Sequence, residues 1–229
     1  MKFTFRYGID APFWVIFLIV LGAGGFIVSM TGLPQSIGGL VFGLYMLVTG
    51  LWMFLYSTVI KIMHRHVILN LAQAHAGDKV LDVGTGRGLL AIAAANMGCK
   101  VTAIDKWSQW DLAGNGRDAL LKNARDEGVP HIEVVDGDVQ ELPFADECFD
   151  VVVSNFVIHN IKSAGGRARA IQEMWRVLRP NGHLVISDIS RTQEYVQILS
   201  GLTDHITTER FFYTFPFSRV VVAQKRKLG

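Results

Sequence analysis

From Ala11 to Ile60 the chain has no Asp, Glu, Lys, Arg or His. That absence excludes an ordinary water-facing surface over the segment, because buried core helices of soluble proteins rarely lack every charge over such a length. Cysteine is scarce as well. Two residues, Cys99 and Cys148, cannot build a disulfide framework, and each reads as a small packing residue. Long basic runs are missing apart from Lys225-Arg226-Lys227, and the net charge is only +2, so no nucleic-acid partner is expected. No Cys, His, Asp or Glu spacing of the metal-site kind occurs, and no metal is expected. A cleaved signal peptide is not expected either, since no small-residue cleavage site leads into a polar start.

What fills the uncharged stretch is apolar and comes in two runs, separated by Thr31-Gly32-Leu33-Pro34-Gln35-Ser36. Each run is long enough to cross a hydrocarbon core, which predicts a transmembrane hairpin over residues 1–62. Lys2 and Arg6 precede the first span, Lys61, His64 and Arg65 follow the second, and the turn between them is uncharged. Both termini are therefore expected on the cytoplasmic side. Trp14, Trp52, Tyr45 and Tyr56 are candidate interfacial anchors. Gly22, Gly24, Gly25, Gly38, Gly39 and Gly43 permit close helix contact, within the hairpin or in a homo-oligomer formed through it. Residues 63–75 carry apolar positions at helical spacing and read as a linker helix opening a second domain, 63–229.

Beyond Asp78 charge is distributed as in a soluble domain, and strands alternate with helices. The pattern predicts strands over Lys79–Val83, Lys100–Ile104, Ile132–Asp136, Phe149–Ser154 and Gly182–Asp188, with helices over Leu89–Met97, Ala113–Glu127, Gly166–Leu178 and Glu194–Leu202. Two further strands, Phe211–Phe215 and Arg219–Gln224, are expected to form a closing hairpin through Pro216–Ser218. Such alternation implies an α/β fold: a seven-stranded sheet, mostly parallel with the last strand antiparallel, covered by helices on both faces.

An open parallel sheet binds its ligand beyond the C-terminal ends of its strands, so the residues there are the ones that carry chemistry. After the first strand, Val80-Leu81-Asp82-Val83 runs into Gly84-Thr85-Gly86-Arg87-Gly88, a turn whose glycines let a ligand lie against bare main chain at a helix N-terminus. After the second comes Asp105, where a carboxylate can accept both hydroxyls of a ribose. After the third, Gly137-Asp138-Val139 places an acid that can take the exocyclic amine of a base. After the fourth, Ser154-Asn155-Phe156-Val157-Ile158-His159-Asn160 is a polar and aromatic edge. The glycine spacing discriminates between ligands. Leu89 stands where a dinucleotide motif wants Gly or Ala, Gly88 is not followed by Lys-Ser or Lys-Thr, and Arg87 is the only cation in the turn. A cofactor without phosphates is favoured, and a nicotinamide oxidoreductase is disfavoured.

These residues resemble the class I S-adenosylmethionine-dependent methyltransferases, which have a Rossmann-like sheet, over about Lys79 to Lys227. VLDVGTGRG is similar to that family's first motif, Asp105 to its ribose acid, Gly137-Asp138 to its adenine-side acid, and Leu178-Arg179-Pro180-Asn181-Gly182-His183-Leu184 to the turn before its fifth strand. The resemblance implies S-adenosyl-L-methionine as cofactor. Gly84 and Gly86 would approach its methionine moiety, Asp82 would help hold the ammonium, and Asp105 and Asp138 would take ribose and adenine. Val139 would add a backbone N–H, and Trp107 would cover the adenine ring. Thr85, Gly88, Lys106 and Ser154 complete the expected cofactor shell.

Methyl transfer is an in-line displacement at an activated carbon, so alignment and exclusion of water supply much of the acceleration. A base is needed only where the nucleophile must lose a proton. His159 is the candidate for that role, because an imidazole titrates near neutral pH; with Asn155 and Asn160 it also forms the candidate substrate edge. The expected protein is an integral membrane methyltransferase with a cytoplasmic catalytic domain. It would act on a small hydrophobic or membrane-resident acceptor held near the lipid bilayer: a quinone precursor, a lipid, a thiol or a phenol. The alternative is a membrane-anchored cofactor-binding or assembly module without turnover.

Overall fold

A computed structural model of the chain describes residues 6–31, 37–107, 116–129 and 131–226, and it divides into two compact units, Met1–Lys61 and Ile62–Gly229. In the first unit, helix α1 (Pro12–Met30) begins on a proline, whose missing N–H costs nothing in a first turn. It packs on α2 (Ile37–Leu55), after which a π-helical segment, Tyr56–Ile60, follows. The two helices touch through glycines. A Cβ at Gly22 would lie 2.4 Å from the backbone N of Leu47, one at Gly43 2.8 Å from the backbone N of Phe26, and one at Gly50 2.8 Å from Ile19 Cγ1. Gly24 and Gly38 face open space. Gly22 and Gly43 are thus accounted for within the hairpin itself, joined by Gly50, which spacing alone did not single out.

The hairpin buries little else. Val15, Met53 and Tyr56 are covered, while Phe13, Trp14, Ile16, Val20, Ile27, Val41 and Tyr45 are exposed, so the outward surface is apolar. Of the aromatic anchor candidates Tyr56 is therefore a packing residue. Polar groups concentrate at one end. Buried Lys61 donates from Nζ to the carbonyls of Tyr7 (3.3 Å) and Gly8 (2.6 Å) and pairs with Asp10 Oδ2 at 3.1 Å, an oxygen that also accepts from Ser57 Oγ. A lysine buried this deeply needs such partners to remain charged.

In the second unit α3 (Lys61–Leu71) buries a face spaced at three and four: His64, Arg65, Ile68 and Leu69. His64 Nδ1 lies 3.0 Å from Tyr213 Oη with its ring against Phe211, and Arg65 pairs with Glu127 at 3.2 Å. The helix stops short of His75 because Gln73 takes φ 51° and the N–H of Ala74 closes back on the Leu69 carbonyl at 3.1 Å.

The sheet runs in the order β3-β2-β1-β4-β5-β7-β6, from β1 (Lys79–Val83), β2 (Lys100–Asp105), β3 (Glu133–Asp136), β4 (Phe149–Asn155), β5 (Leu178–Asp188), β6 (Ile206–Phe211) and β7 (Ser218–Gln224). β3 through β5 are parallel neighbours and β7 is antiparallel to both β5 and β6, as expected for a single reversed strand. Among the described residues four α-helices follow α3: α4 (Leu89–Asn96), α5 (Arg117–Asp126), α6 (Ala164–Val177) and α7 (Thr192–Ser200). Leu81, Val83, Ile104, Val152, Leu184, Ile186 and Val221 from the sheet pack with Ile171 and Met174 of α6 and with Tyr195 and Leu199 of α7. Each fully buried aliphatic side chain of this kind stabilises the fold by roughly 1.5–3 kcal/mol.

Other boundaries also differ from expectation, most by one or two residues. The strand expected over Phe211–Phe215 is β6, Ile206–Phe211: an edge strand whose Thr207, Thr208, Glu209 and Arg210 are exposed and carry no apolar signal, while Phe212 and Phe217 lie in the turn beyond it. β5 starts at Leu178, not Gly182, because Leu178 pairs with Phe149 ahead of a register shift near Val151. The helix expected over Ala113–Glu127 is described from Arg117, with residues 113–115 outside the described range.

Candidate functional site

Parallel register brings the ends of β1, β2 and β4 abreast: Val83 pairs with Ile104 on one side and with Ser154 on the other. The glycine turn leaves β1 at this edge, with Gly84, Gly86 and Gly88 at φ 71°, 54° and 85°. Only glycine takes these angles without strain. Gly84 has a second reason, since a Cβ there would meet Val157 Cγ2 at 2.3 Å. The turn is pinned from three sides. Gly84 N–H donates to the Ile104 carbonyl at 2.8 Å, Asn123 Nδ2 of α5 donates to the Arg87 carbonyl at 3.0 Å, and Asp82 works from beneath. Asp82 Oδ2 accepts from Thr85 Oγ1 at 2.7 Å and from the Ala91 N–H at 2.9 Å, tying the turn to the first turns of α4. Burial pushes its carboxyl up to about 7, against the two hydrogen bonds that favour the charged form. Asp82 and Thr85 are both buried, so they shape the turn from behind.

Asp105 ends β2 partly exposed. Its Oδ2 accepts from the Gly86 N–H at 2.8 Å and its Oδ1 from the Trp107 N–H at 2.7 Å, so one carboxylate sets both the glycine turn and the segment after β2. Trp107 takes φ 55° and donates from Nε1 to Asp136 Oδ1, bridging the ends of β2 and β3. Lys106 is exposed. Asp138 is exposed and its Oδ1 accepts from the Gln140 N–H at 2.9 Å; Val139 packs partly buried on the core.

The end of β4 divides its residues. Ser154 is fully buried and donates to the Val83 carbonyl at 3.0 Å, bracing β4 on β1. Asn155 Oδ1 is buried with no hydrogen-bond partner among the described residues, an acceptor awaiting a donor. Asn160 is exposed and its Nδ2 reaches the Phe156 carbonyl at 3.5 Å.

His159 sits in the short 3-10 turn Ile158–Asn160 and meets a residue that spacing did not single out, Asp188 at the end of β5. Asp188 is fully buried. Its Oδ2 accepts from the His159 N–H and from Tyr195 Oη, each at 3.0 Å, its Oδ1 accepts from the Ile189 N–H at 2.8 Å, and His159 Nδ1 lies against that same Oδ1. Burial, then the neighbouring Asp188 charge, pushes the Tyr195 phenol well above its ordinary range, so Tyr195 remains a neutral donor. A signal for Asp188 existed: it follows a parallel strand at the same sheet edge as Asp105. The two cysteines play no part here, and burial pushes both thiols up.

The edge therefore presents a left-handed glycine turn, two partly or fully exposed carboxylates, an unpartnered amide oxygen and an imidazole lying against a buried carboxylate. The exposed acceptors suit a ligand rich in hydroxyl and amino donors, and the turn offers no lysine for a phosphate.

Residues 81–186 match the family model described as a methyltransferase domain. The chain is 32% identical over 126 residues to a demethylmenaquinone methyltransferase of Renibacterium salmoninarum, covering 55% of this chain and 47% of that protein. It is 26% identical over 137 residues to a ubiquinone/menaquinone biosynthesis C-methyltransferase of Methylococcus capsulatus, covering 59% and 53%. It thus spans about half the length of these relatives. Among solved structures, a SAM-dependent methyltransferase from Aquifex aeolicus superposes with a TM-score of 0.56 at 21% identity, over 72% of this chain and 92% of that one, a likeness of fold.

Proposed function

Because residues 81–186 form a class I S-adenosylmethionine-dependent methyltransferase domain, we propose that the protein methylates a small hydrophobic, quinone-related acceptor at a membrane surface. The observation that carries the chemistry is the Asp188–His159 contact at the acceptor edge of the sheet, one strand away from the glycine turn.

The bound cofactor supplies an activated methyl group on a sulfonium. On the cofactor side Asp105 and Asp138 accept hydroxyl and amine donors, Gly84 and Gly86 give bare backbone, and the unpartnered Asn155 Oδ1 takes a donor from cofactor or acceptor. Asp82 and Thr85 keep the turn in shape from behind, Ser154 braces β4 on β1, and Gly88, Lys106, Trp107 and Val139 stand in the turn and after β2 and β3. On the acceptor side Asp188 Oδ1 lies beside His159 Nδ1 and Oδ2 accepts from the His159 N–H, which leaves Nε2 to remove the proton from an acceptor hydroxyl or activated carbon as the new bond forms. Asn160 flanks that position.

Membrane placement is supported by the hairpin. Each helix of nineteen residues is about 28 Å long, close to the thickness of a hydrocarbon core. The exposed side chains around both are apolar, a costly surface in water and a suitable one in lipid. The flanking cations favour a cytoplasmic catalytic domain.

Two measurements test this. The full chain should stay in the membrane pellet after alkaline carbonate and leave it only with detergent; release by carbonate would refute the anchoring. Detergent-purified protein given methyl-labelled cofactor and a membrane extract should pass label to an organic-soluble product. Cofactor binding without transfer to any acceptor class would favour a binding module.

A further inference from the structure

Away from the glycine turn, a cavity of about 430 Å³ opens beside the end of β5, between the start of α7 and the β6–β7 hairpin. Its lining is unusual in charge. Arg191, Arg210 and Arg219 all border it, with Phe212 and Phe217. Arg210 and Arg219 are direct cross-strand partners, so their side chains leave the same face of the hairpin next to each other. Like charges placed opposite in this way destabilise a strand pair unless something neutralises them. Among the described residues no ion pair holds either one, although Arg219 also stands opposite the buried Asp188 across β5 and β7. The carboxylate nearest to Arg191 is Glu194, 4.0 Å away, and Glu194 is already engaged by Arg167 Nε at 2.9 and 3.1 Å. Glu209, adjacent in sequence to Arg210, belongs to the opposite face by strand alternation.

The aromatic pair is as exceptional as the charge. Phe212 is 65% and Phe217 60% exposed, edge to face with ring centroids 5.7 Å apart, at the tip of the hairpin beyond the arginines. A water-soluble domain gains nothing from two such rings in solvent. Apolar tips above a ring of guanidinium groups suit a lipid interface, where rings enter the acyl boundary and cations meet headgroups. The turn also rests on α3 through Phe211 and Tyr213, and α3 is the element the chain enters directly from the apolar hairpin.

We propose that this cavity is a binding site for the phosphate of an anionic phospholipid, held by Arg191, Arg210 and Arg219 while Phe212 and Phe217 contact the acyl region. Guanidinium forks match phosphate oxygens bidentately, and Thr192 and Gln193 at the start of α7 complete the lining. The site assists the proposed function, on which it rests for a membrane-bound domain: it would hold the acceptor edge, which begins one residue away at Asp188, against the lipid surface.

The test uses full-length protein in neutral detergent, with native mass spectrometry reading the lipid retained when phosphatidylglycerol or phosphatidylcholine of the same acyl chains is added. The wild type should retain phosphatidylglycerol selectively. Arg210→Gln with Arg219→Gln should weaken that retention by about 25-fold, about fivefold for each cation lost, with phosphatidylcholine unchanged. Cofactor binding by calorimetry shows that the variant is folded. If that pair does not fold, Arg191→Gln, a change at an exposed side chain, should lose about fivefold. Equal retention of the two lipids by the wild type overturns the proposal, as does a variant that keeps its preference within twofold. Displacement of phosphatidylglycerol by inorganic phosphate at equal concentration would identify a free-anion site and also overturn it. Carbonate extraction scores the membrane anchor separately, so failure of the anchor and failure of this site are told apart.

Discussion

Replacing Asp188 by Asn removes one charge from the buried centre of the acceptor edge while keeping its shape. The carboxylate accepts from the His159 N–H, Tyr195 Oη and the Ile189 N–H, with His159 Nδ1 lying against Oδ1. An amide keeps one acceptor oxygen and turns an NH2 group toward at least one of those donors, whichever way it is flipped. Stranding buried donors costs about 1–3 kcal/mol, and for a chain of this size that lowers Tm by roughly 3–10 °C. The chemical consequence is larger. On the proposed mechanism His159 loses the carboxylate that fixes its backbone N–H, and general-base assistance contributes roughly 10²–10⁴-fold. The rate of label transfer from methyl-labelled cofactor at saturation should therefore fall at least about 100-fold, while the cofactor Kd by calorimetry stays within about twofold. His159→Gly should lose a comparable factor and regain part of it with added imidazole. A purely structural network predicts otherwise: the Tm drop alone, transfer within about threefold of wild type and no imidazole rescue. That outcome would refute the catalytic assignment.

Other consequences follow from the same geometry. Asp105→Ala leaves the Gly86 and Trp107 N–H groups without their acceptor and should weaken cofactor binding by about one to two orders of magnitude in calorimetry, at about 1–3 kcal/mol for a lost charged acceptor. Asp82 carries a folded-state carboxyl raised to about 7 by burial, so folding takes up a proton; its contribution is complete below about pH 4 and is lost as pH rises through 7. Thermal scans from pH 5 to 8 should show stability falling with pH in the wild type and a flatter dependence in Asp82→Asn. Gly84→Ala sets a Cβ 2.3 Å from Val157 at positive φ and should cost several degrees in Tm. Gly24→Ala, which meets nothing within 4 Å in a helix interior, should be neutral or slightly stabilising, whereas Gly22→Ala should loosen the hairpin by its approach to the Leu47 backbone.

Strands β1, β2 and β4 were legible because a parallel strand buried on both faces reads as a short, mostly apolar run rich in Val, Leu and Ile, and the turn and acids at their ends follow from where such strands stop. β6 was not. Pairing on one side only leaves its side chains exposed, so its sequence carries no core pattern, and the aromatic run beyond it misled the placement. The end of α3 depended on a left-handed residue, Gln73, that propensity does not flag. Asp188 escaped for a different reason. It lies 29 residues from His159, and only the β4–β5 pairing brings the two together. Spacing along the chain also could not say which glycines close the hairpin, since Gly22, Gly43 and Gly50 meet their partners across two helices.

The most direct test of the central claim gives purified full-length protein methyl-labelled S-adenosylmethionine together with a membrane extract and follows the label. Label is expected in an organic-soluble, quinone-related product, reduced by Asp105→Ala when cofactor is limiting and cut at least about 100-fold by Asp188→Asn. Label found only in water-soluble compounds or in protein would contradict it.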